Sequence, residues 1–211
     1  MISRIVHVAV YDTLADWEVG AATAHINNSN WHREPGAYRI RTVAADTGPV
    51  TTMGGMRILP DLTLADLSPA DSAMLILPGA DGWERGELDA FTDKAREFAA
   101  AAVPVAAICG ATFGLARAGL LDDRRHTSNV AEYLAASGYA GGRHYTSEPA
   151  VTDRGVITAN STAPFEFARE VLAALDIYEP EVLDGWYRLF GKGDPDGYAV
   201  LARYEARQAT V

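Results

Sequence analysis

Apolar and polar residues along the first 175 positions follow two alternating patterns, one typical of strands and one typical of helices. Runs rich in β-branched residues have the length of a strand, and most are followed by a segment whose apolar residues recur every three or four positions. The predicted strands are 4–11, 38–45, 72–77 and 103–108, and the predicted helices are 14–27, 87–102, 111–118, 130–138 and 163–175. Strands separated by helices predict a mostly parallel sheet that is covered by helices on both faces.

Turn-forming residues predict smaller features between these elements. The segment "GPVTTMGGMRILPDLTLADL" predicts a hairpin around Gly54 and Gly55, followed by a short helix at 64–67. A second hairpin is expected in "AVTDRGVITAN", with its turn at 153–155. Pro164 suits the first turn of the helix that follows, because its missing N–H is not needed there.

The chain divides into an α/β domain at 1–177 and a C-terminal helical extension at 178–211. The extension is interrupted at "GKGDPDG" and carries apolar residues on both sides of the interruption, which predicts two short helices. We expect these helices to pack on the domain or on a second subunit. The extension is too small for a helix-turn-helix DNA-binding domain.

Composition and charge exclude two classes of partner. Of the 211 residues, 48% are hydrophobic and 22% are charged, as in ordinary soluble domains. The net charge of −10 would repel a polyanion, so no nucleic-acid partner is expected. The segment "MISRIVHVAVYDTLADWE" lacks a signal peptide's long apolar region, and no stretch approaches the roughly 20 apolar residues that span a bilayer. Together with a single cysteine, these features predict a cytoplasmic protein without a membrane partner.

That single cysteine, Cys109, lies where a strand meets a helix in "VPVAAICGATFGLARAGLL" (103–121). A side chain at such a turn projects from the carboxyl edge of the sheet and lies beside a helix N-terminus, which favours an anion. The position therefore predicts a reactive thiol of lowered pKa at a nucleophile elbow. The alternative is a small buried hydrophobic residue, as many free cysteines are.

Four motifs in order carry a family resemblance: "DWE", "LPGADGW", "AAICGATFGLARAGLLDDRRHTSN" and "RGVITANSTAPFEFAREVL". From about residue 4 to about residue 175, the sequence resembles the ThiJ/PfpI superfamily, which comprises intracellular protease- and amidase-like relatives of the class I glutamine amidotransferases. The resemblance implies a flavodoxin-like three-layer sandwich, a homodimer, and an elbow cysteine hydrogen-bonded to a glutamate. At the matching positions these two residues are Cys109 and Glu18. The resemblance also implies an oxyanion site formed by the N–H groups of Gly79 and Gly110, with Ala80 as a further candidate.

Glu18 has a chemical role that is independent of the resemblance. A carboxyl among apolar neighbours such as Trp17 and Val19 has a raised pKa, so it could donate a hydrogen bond to a thiolate or act as a general acid or base. The alternative is a solvated acid in the first turn of a helix, where negative charge is favoured. The order of the motifs favours the functional interpretation.

The histidines depart from the pattern of hydrolytic members. Such members carry a histidine directly after the cysteine or at the end of a "T-T-H"-like segment, and these positions are Gly110 and Asn129 here. Asn129 could bind substrate or an oxyanion, but it cannot titrate. His126 lies three residues earlier, so in a regular strand its side chain would stand on the opposite face. It could reach the thiol only through a bulge or loop, and a surface or hydrogen-bonded histidine is the preferred interpretation.

No cofactor or metal is expected, because neither the histidines nor the cysteine have ligand spacing and the glycines form no phosphate-binding pattern. The leading hypothesis is a cysteine-dependent enzyme acting on a small carbonyl or amide substrate, by amidase-like hydrolysis or by glyoxalase or deglycase chemistry. One alternative is a non-catalytic, redox-sensing or stress-protective homodimer that oxidises its cysteine to a sulfinic acid. Another is a glutamine amidotransferase subunit.

Overall fold

A seven-stranded sheet forms the centre of the computed structural model, which describes residues 3–209. Its order is β5-β2-β1-β6-β7-β9-β8, and every neighbouring pair is parallel except the edge pair β8 and β9. A separate hairpin joins β3 and β4. The strands are β1 Arg4–Ala9, β2 Tyr38–Ala44, β3 Val50–Thr51, β4 Arg57–Ile58, β5 Leu62–Thr63, β6 Met74–Leu77, β7 Val105–Ile108, β8 Ala150–Asp153 and β9 Val156–Ala159.

The five inner strands have the flavodoxin-like order. Numbered by their place along the chain, β2, β1, β6, β7 and β9 follow the order 2-1-3-4-5. The order reverses between β1 and β6, and open α/β sheets bind ligands beside the carboxyl ends of the strands at such a point. The prediction of a flavodoxin-like α/β fold is confirmed.

Helices cover both faces of the sheet and create two hydrophobic cores. The longer helices are α1 Asp16–Asn27, α2 Asp89–Ala100, α3 Gly110–Arg117, α4 Ala131–Ala135, α5 Pro164–Ala174, α6 Pro180–Lys192 and α7 Asp196–Gln208. Helices α1, α5, α6 and α7 pack on one face, and α2, α3 and α4 pack on the other. Strand β6 shows why both faces are apolar, since Met74 and Ile76 enter one core while Leu75 and Leu77 enter the other.

The C-terminal helices α6 and α7 contribute side chains to the core beside α1 and α5. Trp186, Leu201 and Tyr204 are almost fully buried there. The Tyr204 hydroxyl donates a hydrogen bond to the His32 carbonyl at 3.0 Å, which fixes α7 to the loop after α1. Both helices therefore pack on their own domain.

Both predicted hairpins are present, whereas the predicted helix at 64–67 is wrong. In the β3–β4 hairpin Gly55 has φ +83°, and Arg154 and Gly155 between β8 and β9 also have positive φ, as a tight hairpin turn requires. The Leu64 N–H donates to the Ala44 carbonyl at 2.8 Å, so this segment continues the sheet edge and then turns. Within 3–209, no helix has the length and apolar character needed to cross a bilayer.

Gly185 allows α6 and α7 to approach each other, so Gly185→Ala should destabilise the protein. An added Cβ would lie 2.7 Å from Val200 Cβ, and we expect the free energy of unfolding to fall by about 1–3 kcal/mol. Gly20→Ala is the control, because its added Cβ has no atom within 4 Å apart from its chain neighbours and the backbone of its own helix, and alanine favours helix α1 by roughly 0.5–1 kcal/mol. Urea unfolding measures both, and equal stability of the two variants would contradict this packing.

Candidate active site

Cys109 occupies the join between β7 and α3 in a strained backbone conformation. Its φ of +57° and ψ of −123° are unfavourable for a residue with a Cβ, at a cost on the order of 1–3 kcal/mol. Hydrogen bonds on both sides maintain this conformation, since the Cys109 N–H donates to the Ala159 carbonyl at 3.0 Å and the Thr112 N–H donates to the Cys109 carbonyl at 3.1 Å. The elbow predicted for this residue is therefore present.

Glu18 lies in the first turn of α1 and is completely buried. Its Oε2 accepts a hydrogen bond from the Gly79 N–H at 2.6 Å, and no hydrogen bond of regular geometry reaches Oε1 from residues 3–209. Burial raises the pKa of the Glu18 carboxyl to about 7, although the Gly79 N–H and the Cys109 thiol both favour its charged form. The alternative of a solvated surface acid is wrong.

Glycine is required at position 79 because the carboxyl and the thiol converge on it. An added Cβ would lie 2.8 Å from Glu18 Oε2 and 2.9 Å from Cys109 Cβ. Gly79 follows β6, Glu18 follows β1 and Cys109 follows β7, so adjacent parallel strands deliver all three residues to the same sheet edge. The structure thus brings together residues that are far apart in the sequence.

The Cys109 thiol is partly buried, and this burial controls its ionisation. Burial raises the pKa of Cys109 to about 11, and the negative charge of Glu18 adds to the rise. The Asn129 amide and the Gly110 N–H favour the thiolate, but they offset only part of this rise in the pKa of Cys109. This direction is opposite to the lowered pKa expected from the sequence, because desolvation and the neighbouring carboxylate outweigh the two donors beside the sulfur.

Asn129 lies beside the thiol. Its Nδ2 donates to Cys109 Sγ at 3.5 Å, and its Oδ1 accepts a hydrogen bond from the Ser161 N–H at 2.9 Å. The second contact determines which end of the amide faces the sulfur, since Oδ1 is already engaged by a donor. Ser161 was missed in the sequence because its contribution is a backbone N–H, which no residue-type signal reveals.

The His126 ring is hydrogen-bonded away from the thiol, so the prediction that His126 binds substrate or an oxyanion is corrected. Its ring is buried, with Nδ1 2.8 Å from the Arg124 carbonyl and Nε2 3.0 Å from the Tyr139 hydroxyl. The ring also makes an edge contact with Tyr145. Both ring nitrogens therefore have partners in neighbouring loops, and the hydrogen-bonded interpretation describes this residue.

The candidate oxyanion donors also need a correction. The Gly79 N–H is already used by Glu18, so it is not available to a substrate oxygen in this arrangement. The Ala80 N–H has no partner among residues 3–209 and lies 3.5 Å from the position of a Cβ added to Gly110. The backbones of Ala80 and Gly110 are thus adjacent.

Trp83 supports the site from within the core. It is completely buried, and its Nε1 donates to the Pro78 carbonyl at 2.9 Å. The Tyr11 hydroxyl donates to the same carbonyl. Together they hold the peptide that precedes Gly79. Within the described part of the chain, no group of three or more His, Cys, Asp or Glu side chains could hold a metal ion.

Comparisons with known proteins identify the relatives of this chain. Residues 4–174 match the model of the DJ-1/PfpI family. The uncharacterized protease YoaZ of Bacillus subtilis is 36% identical over 95% of this chain and 97% of its own length. A thiJ/pfpI family protein from Bacillus anthracis has 35% identity and a TM-score of 0.88, covering 97% of this chain and 98% of its own. The DJ-1 superfamily protein Atu0886 from Agrobacterium tumefaciens has 33% identity and a TM-score of 0.75, covering 88% and 98%.

The raised pKa of Glu18 predicts a pH-dependent effect of Glu18→Gln on stability. Below pH 4.5 the carboxyl is protonated in both the folded and unfolded states, so burying it does not lower the free energy of unfolding through its charge. Between pH 4.5 and about 7 the folded state binds more protons, so the wild-type free energy of unfolding falls as pH rises. We therefore expect Glu18→Gln to be more stable than wild type by about 3 kcal/mol at pH 8, and to differ little at pH 4.

Denaturant unfolding at the two pH values measures this difference. Glu132→Gln is the matched control, because it changes an exposed glutamate in the first turn of α4. A stability difference for Glu18→Gln that is the same at pH 4 and pH 8 would show that the buried carboxyl does not change its ionisation in this range.

The Asn129 amide favours the thiolate, so Asn129→Ala should raise the pKa of Cys109. The pH dependence of alkylation by iodoacetamide measures this value, and at pH 9 the variant should react more slowly than wild type. Asn28→Ala, at the exposed end of α1, is the control. Faster alkylation of Asn129→Ala would show that the amide shields the sulfur and does not stabilise its charge.

Proposed function

The chain belongs to the DJ-1/PfpI family, and on that premise we propose that it is a cysteine-dependent enzyme acting on a small carbonyl or amide compound. Cys109 is the proposed nucleophile and Glu18 the proposed proton acceptor. The observation that carries the proposal is the strained elbow conformation of Cys109 beside a completely buried carboxyl. Strain and buried charge both cost stability, and they cluster where chemistry requires them.

The first step is addition of the Cys109 sulfur to the electrophilic carbon of the substrate. A carbon–sulfur bond forms, the carbonyl π-bond opens, and its electron pair moves to the oxygen. The thiol proton goes to the Glu18 carboxylate, whose pKa of about 7 suits a general base at neutral pH. The thiol can therefore react from its protonated form, even though burial raises its own pKa.

The developing oxyanion would be held by the N–H groups of Ala80 and Gly110. Asn129 supplies a further donor beside the sulfur at 3.5 Å. In hydrolysis the carbonyl re-forms, the carbon–nitrogen bond breaks, and the proton on Glu18 goes to the leaving amine. In glyoxalase-type rearrangement of a 2-oxoaldehyde, a proton moves by way of Glu18 from the attacked carbon to its neighbour. Each route leaves a thioester at Cys109, which water cleaves to release the acid and restore the thiol. Both reactions use the side chains of Cys109 and Glu18. The site geometry therefore supports these two roles and does not favour one substrate class over the other.

The redox-sensing alternative uses the same sulfur as the proposed addition, since oxidation to a sulfenic or sulfinic acid also follows thiolate character. The turnover and peroxide measurements below distinguish the two. The alternative of a glutamine amidotransferase subunit has no added support from the site, since His126 does not contact Cys109. A homodimer and a cytoplasmic location stay predictions.

The test is turnover of methylglyoxal, glutamine, isonitriles and chromogenic amides by wild type, Cys109→Ala and Glu18→Gln. We expect wild type to convert at least one of these compounds, and Cys109→Ala to fall to background. Glu18→Gln should lower kcat by roughly 10²–10⁴-fold, because it removes the proton acceptor. The wild-type kcat/KM should rise with pH through about 7, as the carboxyl of Glu18 ionises. Glu132→Gln is again the control.

Retention of activity by Cys109→Ala would exclude the nucleophile assignment. If wild type converts none of these compounds while peroxide selectively oxidises Cys109, the redox alternative would replace the proposed enzyme.

A further inference from the structure

Two buried hydroxyl groups adjoin the backbone of Cys109 and have no role in the reaction steps proposed above. Thr112 lies in the first turn of α3, and both it and Ser128 are almost fully buried. The Thr112 hydroxyl lies 2.6 Å from the Cys109 carbonyl oxygen and 2.6 Å from the Ser128 hydroxyl. Each hydroxyl that is removed from water therefore has a hydrogen-bond partner, as a buried polar group requires.

The partners of the two hydroxyls determine which oxygen donates in each contact. A carbonyl oxygen can only accept, so the Thr112 hydroxyl donates to the Cys109 carbonyl. A hydroxyl has a single hydrogen, so the Ser128 hydroxyl donates to Thr112 Oγ1. The Cys109 carbonyl also accepts from the Thr112 N–H at 3.1 Å. Two donors of Thr112 thus hold the carbonyl of the strained elbow, and Ser128 orients one of them.

The direction of the Cys109 carbonyl determines the direction of the next N–H group. All peptide bonds between residues 3 and 209 are trans, and the C=O and N–H of a trans peptide point in opposite directions. Since the Cys109 carbonyl is directed at Thr112, the Gly110 N–H points away from Thr112. A hydrogen bond from the Gly110 N–H to the sulfur acts to lower the pKa of Cys109. This N–H therefore faces the sulfur.

Residues 128 and 129 contact Cys109 from both ends of the elbow. Ser128 reaches the Cys109 carbonyl through Thr112, and Asn129 donates directly to Cys109 Sγ at 3.5 Å. One short segment thus orients two donors toward the sulfur, which are the Asn129 amide and the Gly110 N–H.

We infer that Thr112 and Ser128 are positioning residues, whose hydroxyl chain directs the Gly110 N–H toward the sulfur and toward the oxygen that becomes negative after addition. The inference rests on the proposed function, because this oxyanion forms only if Cys109 adds to a carbonyl carbon. Neither hydroxyl contacts the substrate. Thr112 acts through the Cys109–Gly110 peptide, and Ser128 acts through Thr112.

The pH dependence of alkylation by iodoacetamide tests the positioning without requiring turnover. Thr112→Val replaces the hydroxyl by a methyl group of similar size, and it should raise the pKa of Cys109 because the Gly110 N–H is no longer directed at the sulfur. Thr112→Ser keeps the hydroxyl and should retain the wild-type profile. Thr92→Val is the matched control, since Thr92 is also buried in a helix but its hydroxyl has no partner among residues 3–209.

Turnover of whichever compound wild type converts, among methylglyoxal, glutamine, isonitriles and chromogenic amides, tests the effect on the oxyanion. Thr112→Val should lower kcat by roughly 10–100-fold with KM nearly unchanged, because the misdirected N–H stabilises charge that is present only in the transition state. Ser128→Ala should lower kcat less. Adding Ser128→Ala to Thr112→Val should have no further effect, since Ser128 acts through the Thr112 hydroxyl.

A wild-type alkylation profile or a wild-type kcat in folded Thr112→Val would overturn the inference, and so would an equal change in Thr92→Val. If urea unfolding shows that Thr112→Val does not fold, Ser128→Ala decides: a raised pKa of Cys109 supports the inference, and an unchanged one overturns it. If wild type converts none of the compounds while the change in alkylation holds, the proposed reaction fails and the positioning of the Gly110 N–H stands.

Discussion

The burial of one carboxyl group determines the arrangement of the site. Glu18 is fully removed from solvent, and a single backbone N–H, that of Gly79, compensates one of its oxygens. Because an uncompensated buried charge is costly, burial raises the pKa of the Glu18 carboxyl, which keeps its proton to a higher pH beside Cys109. This same contact explains why residue 79 has no side chain and why its N–H is not free to bind a substrate oxygen.

The parallel sheet makes this contact possible. Strands β1, β6 and β7 are neighbours, and each delivers one member of the group at its carboxyl end. Trp83 and Tyr11 then hold the Pro78 carbonyl from the core side, which fixes the peptide before Gly79. The position of Glu18 thus depends on packing several residues away from the thiol, as expected for a site built on rigid elements.

The surroundings of the thiol differ from those of a simple elbow cysteine. A helix N-terminus alone would lower the pKa of Cys109, but burial and the carboxyl of Glu18 act in the opposite direction and are stronger. Beside the sulfur, Asn129 contributes a neutral donor that cannot titrate. Proton transfer in this site therefore depends on the carboxyl of Glu18.

The fold class could be predicted from the sequence, because strand and helix periodicities are local properties. The order of the motifs pointed to the family, and through that resemblance to Cys109 and Glu18. Which backbone N–H groups are free, where His126 points and how the thiol ionises depend on the tertiary structure. Hydrogen-bond pairing and desolvation depend on neighbours distant in the chain: the Gly79 N–H belongs to a carboxyl that is 61 residues away.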